Sequence, residues 1–138
     1  MGGLLLVDTS VLIEAERGRL PPNALQSIAP GARLAVSIIT VSELLHGCFR
    51  ARTKSRRLAR EKFLNSILGE FEILPFDLAV AREHGRIWAE LAERGEIIGP
   101  YDLIIAATAL AHRVPLATLN DREFRKVKGL EVHSLRSA

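Results

Sequence analysis

The sequence predicts an α/β fold, a parallel sheet wrapped by helices, and three observations carry that prediction. Leu4-Leu5-Leu6-Val7 is an unbroken apolar run, long enough for a strand buried on both faces. It stops on Asp8-Thr9-Ser10, residue types that favour helix N-caps, and an apolar helical pattern follows. The same event, an apolar strand running into polar turn residues and then a helix, recurs over 34–43 and 114–121. Strand and helix alternate along the whole chain, which is the pattern of parallel sheets.

Composition narrows the class. A chain of 138 residues is expected to form a single domain, 1–138, that buries roughly two-thirds of its unfolded surface without staples. Its 48% hydrophobic and 25% charged content excludes a disordered or membrane-embedded protein. Only 5% of residues are aromatic, so the core must be built from Leu, Ile, Val and Ala. Cys48 is the one cysteine, which excludes an internal disulfide framework and fits a reducing, cytoplasmic setting. It is expected to be a small buried apolar residue. No basic region precedes the first apolar run and no stretch reaches membrane-span length, so neither a signal peptide nor a membrane anchor is expected. A net charge of +3 permits a polyanionic partner without demanding one.

Taken in order, the first helix is expected over 10–18, with Val11, Leu12 and Ala15 on one face and Gly18 as its stop. Pro21-Pro22 restarts the chain into a shorter helix over 23–28, since proline fits a first helical turn. Leu34-Ala35-Val36-Ser37 is the second buried strand and leads into a helix in which Thr40 and Glu43 have capping-box spacing. His46 follows with no second His or Cys near it, which disfavours zinc. Arg50, Arg52, Lys54, Arg56, Arg57, Arg60 and Lys62 then accumulate against Glu61 alone. Such a run is either a solvated helix face or an electrostatic footprint for phosphates. Leu58, Phe63, Leu64, Ile67 and Leu68 are the buried stripe expected of this helix.

A short strand over 71–76 is ended by proline, and Asp77 caps a helix reaching about 93. Its expected inner face is Leu78, Ala81, Ile87, Trp88 and Leu91. Gly95 and Gly99 bracket a loop, and 100–111 is the most apolar helix, which belongs in the middle of the domain. A strand over 114–118 runs into Asn120-Asp121 and a short helix over 122–126, and 130–132 is a last, edge strand.

In a parallel sheet, Asp8, Glu43 and the Asn120-Asp121 pair all arrive at the carboxyl-terminal edge, where open α/β sheets bind ligands. Asp102 joins them from the first turn of the buried helix, where an acid suits the dipole but needs a partner once buried. Each taken alone reads as a cap. Together they form a repulsive cluster that only cations make tolerable, and hard oxygen ligands select Mg²⁺ or Mn²⁺. Carboxylate-held divalent ions serve phosphodiester hydrolysis by activating water and neutralising the phosphate.

Five stretches carry a family resemblance: Val7-Asp8-Thr9-Ser10-Val11-Leu12-Ile13, Ser42-Glu43-Leu44-Leu45-His46-Gly47, Tyr101-Asp102-Leu103-Ile104-Ile105-Ala106-Ala107-Thr108-Ala109, Leu116-Ala117-Thr118-Leu119-Asn120-Asp121-Arg122-Glu123-Phe124 and Gly129-Leu130-Glu131-Val132. In this order the chain resembles the PIN-domain nucleases, and among them the VapC-like toxins of toxin–antitoxin pairs. The resemblance implies a three-layer α/β/α PIN-like domain and a metal-dependent endoribonuclease whose metal-holding acids are Asp8, Glu43 and Asp102. The family's fourth acid usually lies four residues before the phenylalanine, where this chain has Asn120, as many VapC-like members do. Either Asn120 or the adjacent Asp121 then completes the shell or orients the water.

Thr9 and Ser10 are expected to help position the scissile phosphate, and Arg52, Lys54, Arg56 and Arg57 to bind RNA. The resemblance further implies a cytoplasmic homodimer neutralised by a cognate VapB-like antitoxin. The same acids would serve a PIN-fold phosphatase or DNA nuclease. A non-catalytic RNA- or partner-binding module would be expected to have lost a central acid, and here three are intact.

Overall fold

The structure is a computed structural model and describes residues 3–21 and 23–136; the expectation placed on Pro22 lies outside the described residues. Strand β1 (Leu4–Val7) feeds α1 (Thr9–Glu16), then α2 (Ala24–Ile28) and β2 (Arg33–Ser37). Helices α3 (Ile38–Phe49) and α4 (Lys54–Glu70) lead to β3 (Glu72–Leu74). Helices α5 (Leu78–Glu93) and α6 (Pro100–His112) lead to β4 (Leu116–Thr118), and α7 (Asp121–Phe124) leads to β5 (Val132–Ser134). The five strands pair in parallel in the order β3-β2-β1-β4-β5. The chain winds outward from β1 through β2 to β3, then returns to the other side for β4 and β5. Strand order therefore reverses beside β1, the position at which open sheets form a ligand crevice.

Alternation along each strand divides the core in two. Leu6 and Ala35 are register partners, as are Leu6 and Leu116, and all three face α5 and α6 with Val80, Ile87, Leu91, Ile105 and Ala106. Val7 and Val36 face the opposite way, toward α1, α3 and α4, with Val11, Leu12, Val41, Leu44, Leu64 and Ile67. Leu5, Leu6 and Val7 are each 0% exposed, as the unbroken apolar run predicts for a central strand. The result is a three-layer α/β/α domain. Cys48 is buried in the second core, a small apolar filler as expected.

Several local expectations are corrected. The capping box does not form: α3 begins at Ile38, and its N-cap is Ser37, whose Oγ accepts from the Ile39 N–H at 3.1 Å. Glu43 is thus freed from capping and lies further along the helix. In α4 only Leu64 and Ile67 are buried, whereas Leu58 and Leu68 are exposed. In α5, Leu78 and Trp88 are 65% and 60% exposed, and Val80 joins Ile87 and Leu91 as the buried stripe. Both helices carry more apolar residues than one neighbouring layer can cover, so α6 and α3 select which stripe turns inward. Ala15, expected on the inner face of α1, is exposed. The edge strand starts at Val132, two residues later than expected. Gly129 turns the chain at φ +85, and Val132 is the residue that pairs with Leu116.

Candidate active site at the carboxyl edge of the sheet

Asp8 follows the last residue of β1 and is buried at the strand-order reversal. It occupies the N-cap position of α1, yet its side chain makes no cap hydrogen bond. Its Oδ2 instead accepts from Ser10 Oγ at 2.7 Å and from Thr118 Oγ1 at 2.7 Å. Two hydroxyl donors on one oxygen fix the carboxylate's orientation and satisfy that oxygen although it is buried.

Glu43 approaches from α3. The hydroxyl of Thr9 lies 2.7 Å from Glu43 Oε1 and 2.9 Å from the Thr40 hydroxyl, which is fully buried. One hydroxyl has one proton, so Thr9 donates to the carboxylate and Thr40 donates to Thr9 in turn. Burial pushes the Glu43 carboxyl up; the Thr9 hydrogen bond opposes this, and the charge of Asp8 adds to it.

Asp102 stands in the first turn of α6. Its pKa is raised from 3.8 to about 6, first by burial and then by the charges of Asp8, Glu43 and Glu123, while a hydrogen bond from Asn120 works the other way. That bond runs from Asn120 Nδ2 to Asp102 Oδ2 at 3.4 Å. Asp8, Glu43 and Asp102 are therefore close enough for their charges to act on one another. Among the described residues, no three Asp, Glu, His or Cys side chains converge to metal-cage spacing. The three acids form an open, oxygen-only donor set, and a hard divalent cation is the kind of ion that would relieve their mutual repulsion.

Asp121 lies elsewhere. Its carboxylate is buried against the C-terminal arm, with Arg136 Nη2 donating to Oδ2 at 3.2 Å and Arg136 Nε lying 2.7 Å from Oδ1. The Nε contact is a charge pairing whose geometry falls short of a hydrogen bond, so Oδ1 is compensated by charge alone. Burial pushes the Asp121 carboxyl up, but hydrogen bonds from Arg136 and Ser134 outweigh it and hold the group below its ordinary range. Asn120 thus meets Asp102, whereas Asp121 is occupied by arginines.

The basic run divides in the same way. A groove of about 500 Å³ beside Glu43 is lined by Arg17, Arg50, Arg52, Arg56 and Arg60, together with His46. Arg57 is instead paired with Glu61 at 3.0 Å and lies over the Phe49 ring at 5.2 Å. Lys54 begins α4 and does not line this groove. Sequence reasoning missed Thr40 and Thr118, and also Arg17, which lies far from the basic run. A threonine closing an apolar strand next to Asn120 was the available signal for Thr118.

Fold and site together define an α/β domain with a carboxylate-built, all-oxygen site at the strand-order reversal. The chain belongs to the PIN domain family, whose model matches residues 5–130. It is 33% identical over 133 residues to ribonuclease VapC1 of Rickettsia felis, an alignment covering 96% of this chain and 97% of that protein. It is 34% identical over 98 residues to the tRNA(fMet)-specific endonuclease VapC of Shigella flexneri, covering 71% of this chain and 72% of that one. Among solved structures it is similar to that of VapBC2 from Rickettsia felis bound to a DNA fragment from their promoter. That match has a TM-score of 0.85 and 27% identity, and covers 95% of this chain and 98% of the other.

Proposed function

We propose that this chain is a divalent-metal-dependent endoribonuclease, the toxin of a toxin–antitoxin pair, and that residues 1–138 act as one nuclease domain. The observation that carries the reading is the gathering of Asp8, Glu43 and Asp102 at one sheet edge, where burial first and then the charges of its neighbours raise Asp102 to about 6. Nucleases of this family generally use a divalent metal, and relatives aligned over nearly the whole chain are ribonucleases. Mg²⁺ or Mn²⁺ would be held by Asp8, Glu43 and Asp102; when bound, such an ion acidifies water and offsets phosphate charge.

The chain's own residues prepare that chemistry. Ser10 and Thr118 hold Asp8, Thr9 holds Glu43, and Asn120 orients Asp102. Thr9 and Ser10 thus serve the scissile phosphate through the acids they fix. Asn120 supplies the fourth group of the shell, and Asp121 supports it from behind. Arg52 and Arg56, with Arg17, Arg50 and Arg60, lead the RNA backbone toward Glu43, and phosphate contacts of this kind give affinity rather than chemistry.

A cognate VapB-like antitoxin is the expected protein partner, in line with the VapBC complexes that share this fold. No helix among the described residues is long and apolar enough to cross a membrane, and the proposed setting is a cytoplasmic homodimer. The test is cleavage of single-stranded and structured RNA with Mg²⁺, with Mn²⁺ and with EDTA. Cleavage that both EDTA and Asp8→Asn abolish is expected. Cleavage that survives either treatment refutes the metal-site reading, and preference for DNA refutes the ribonuclease.

A further inference from the structure

The C-terminal arm reaches the turn beside the site through a backbone hydrogen bond and an ion pair. Leu135 donates its N–H to Thr118 O at 2.8 Å, which lays the arm along β4, and Arg136 then engages both oxygens of Asp121. The turn between Thr118 and Asp121 is where several of the site's supporting contacts originate. Thr118 Oγ1 donates to Asp8, and the Asn120 N–H donates to Thr118 Oγ1 at 2.8 Å, aiming that hydroxyl. The Leu119 N–H donates to Ser10 Oγ at 3.2 Å, and Ser10 in turn donates to Asp8. Asn120 Nδ2 reaches Asp102.

Helix α7 has only four residues, and its N-cap Asn120 makes no side-chain cap bond. Phe124 anchors the far end of α7 in the core. At the near end Leu119 is tied to Ser10 and Asn120 to Thr118, and the buried carboxylate of Asp121 adds the link to the C-terminal arm. Arg125 also approaches its Oδ2, at 3.5 Å, but from a more exposed position than Arg136.

We propose that Arg136 is a positioning residue: by clamping the buried Asp121 it fixes the turn that aims Thr118 at Asp8 and Asn120 at Asp102. A planar guanidinium spans both carboxylate oxygens, which an ammonium cannot do, so lysine only partly replaces it. The effect on activity rests on the metal-site reading above; the effect on the turn does not. Groups that orient metal-holding side chains matter out of proportion to their distance from the reaction.

The test uses the full chain with Arg136→Gln, Arg136→Lys, Asp121→Asn and the double variant Asp121→Asn/Arg136→Gln. Amide exchange by NMR is read in EDTA, Mn²⁺ affinity by calorimetry, and RNA cleavage by initial rates. Arg136→Gln should speed exchange at Leu119 and Asn120 while leaving β1 and β2 protected. It should also weaken Mn²⁺ binding roughly tenfold and lower kcat with KM for RNA unchanged. Arg136→Lys should fall between wild type and Arg136→Gln. The double variant should be no worse than Arg136→Gln alone, because the two residues act as one unit. A uniform loss of protection across the sheet with Mn²⁺ affinity intact makes Arg136 merely structural and overturns the proposal, as do additive losses in the double variant. If the wild-type chain binds no Mn²⁺ and cuts no RNA, the nuclease reading fails, while the exchange comparison still decides whether Arg136 holds the turn.

Discussion

Removing the Asp102 charge should stabilise the metal-free protein, and the structure gives both the size and the pH window. The carboxyl is raised from 3.8 to about 6 on folding, so over that range the native state holds a proton that the unfolded state has released. Stability is therefore unaffected below pH 3.8, falls as pH rises through the window, and stays depressed above about 6. The full shift corresponds to about 3 kcal/mol. Because Asp102 is half-buried, solvent screening reduces this to about 1–2 kcal/mol. Asp102→Asn keeps the shape, lacks the charge, and should gain that amount at pH 7.5 in EDTA, a rise in Tm of about 4–8 °C. The gain should shrink steadily toward zero as the pH is lowered to 3.8. Added Mg²⁺ or Mn²⁺ should stabilise the wild type and not the variant, reversing their order at saturating metal. Melting curves across pH, with and without metal, measure all of this. A variant no more stable than wild type at pH 7.5, or a gain independent of pH, refutes the repulsive-cluster account.

Asp8→Asn should abolish RNA cleavage while the chain remains folded, measured by gel assay beside far-UV circular dichroism; residual wild-type cleavage removes Asp8 from the metal site. Asn120→Ala deletes a hydrogen bond that holds the Asp102 pKa down, so the acid limb of the pH–rate profile should move to higher pH. Asp121→Asn acts on that bond only through the turn and should move the limb less, and an equal displacement in both variants would reject the distinction between the two residues. In the basic run, Arg52→Gln and Arg56→Gln should each reduce the slope of log K against log salt for single-stranded RNA by ~0.7. Arg57→Gln should change the slope little, since Arg57 is already engaged by Glu61 and Phe49; equal effects at all three positions would make the run a diffuse charged face.

The features that sequence displays are those whose cause is local. The apolar run before Asp8 and the cap-type residues after it define β1 and the start of α1 because burial and backbone pairing act on adjacent residues. The gathering of Asp8, Glu43 and Asp102 was legible for a similar reason, since parallel strands share one carboxyl edge. Thr40 and Glu43 imitate a capping box, but Ser37, three positions earlier, captures the helix start, and backbone position alone decides between two caps of similar strength. Leu78 and Trp88 satisfy a helical stripe as well as Val80 does, and only the placement of α6 chooses between them. Thr118 could not be assigned to Asp8 from pattern, because β1 and β4 become neighbours only when the sheet order is known. The pairing of Asp121 with Arg136 is likewise a tertiary event between a helix end and the arm.

The hydrogen bond from Thr118 to Asp8 joins residues 110 positions apart, so the site inherits the order in which the chain is made. A ribosome emits β1, β2, β3 and every helix through α6 before β4, the strand that must lie against the other edge of β1. Until then Asp8 lacks one of its two donors and the crevice lacks a wall. Pairings this distant in sequence form late, because closing so long a loop is unfavourable until many contacts form together. The arm that carries Arg136 follows β4 and β5 out of the ribosome. A nascent chain therefore carries the acids of the site before their arrangement, which waits for β4 to emerge.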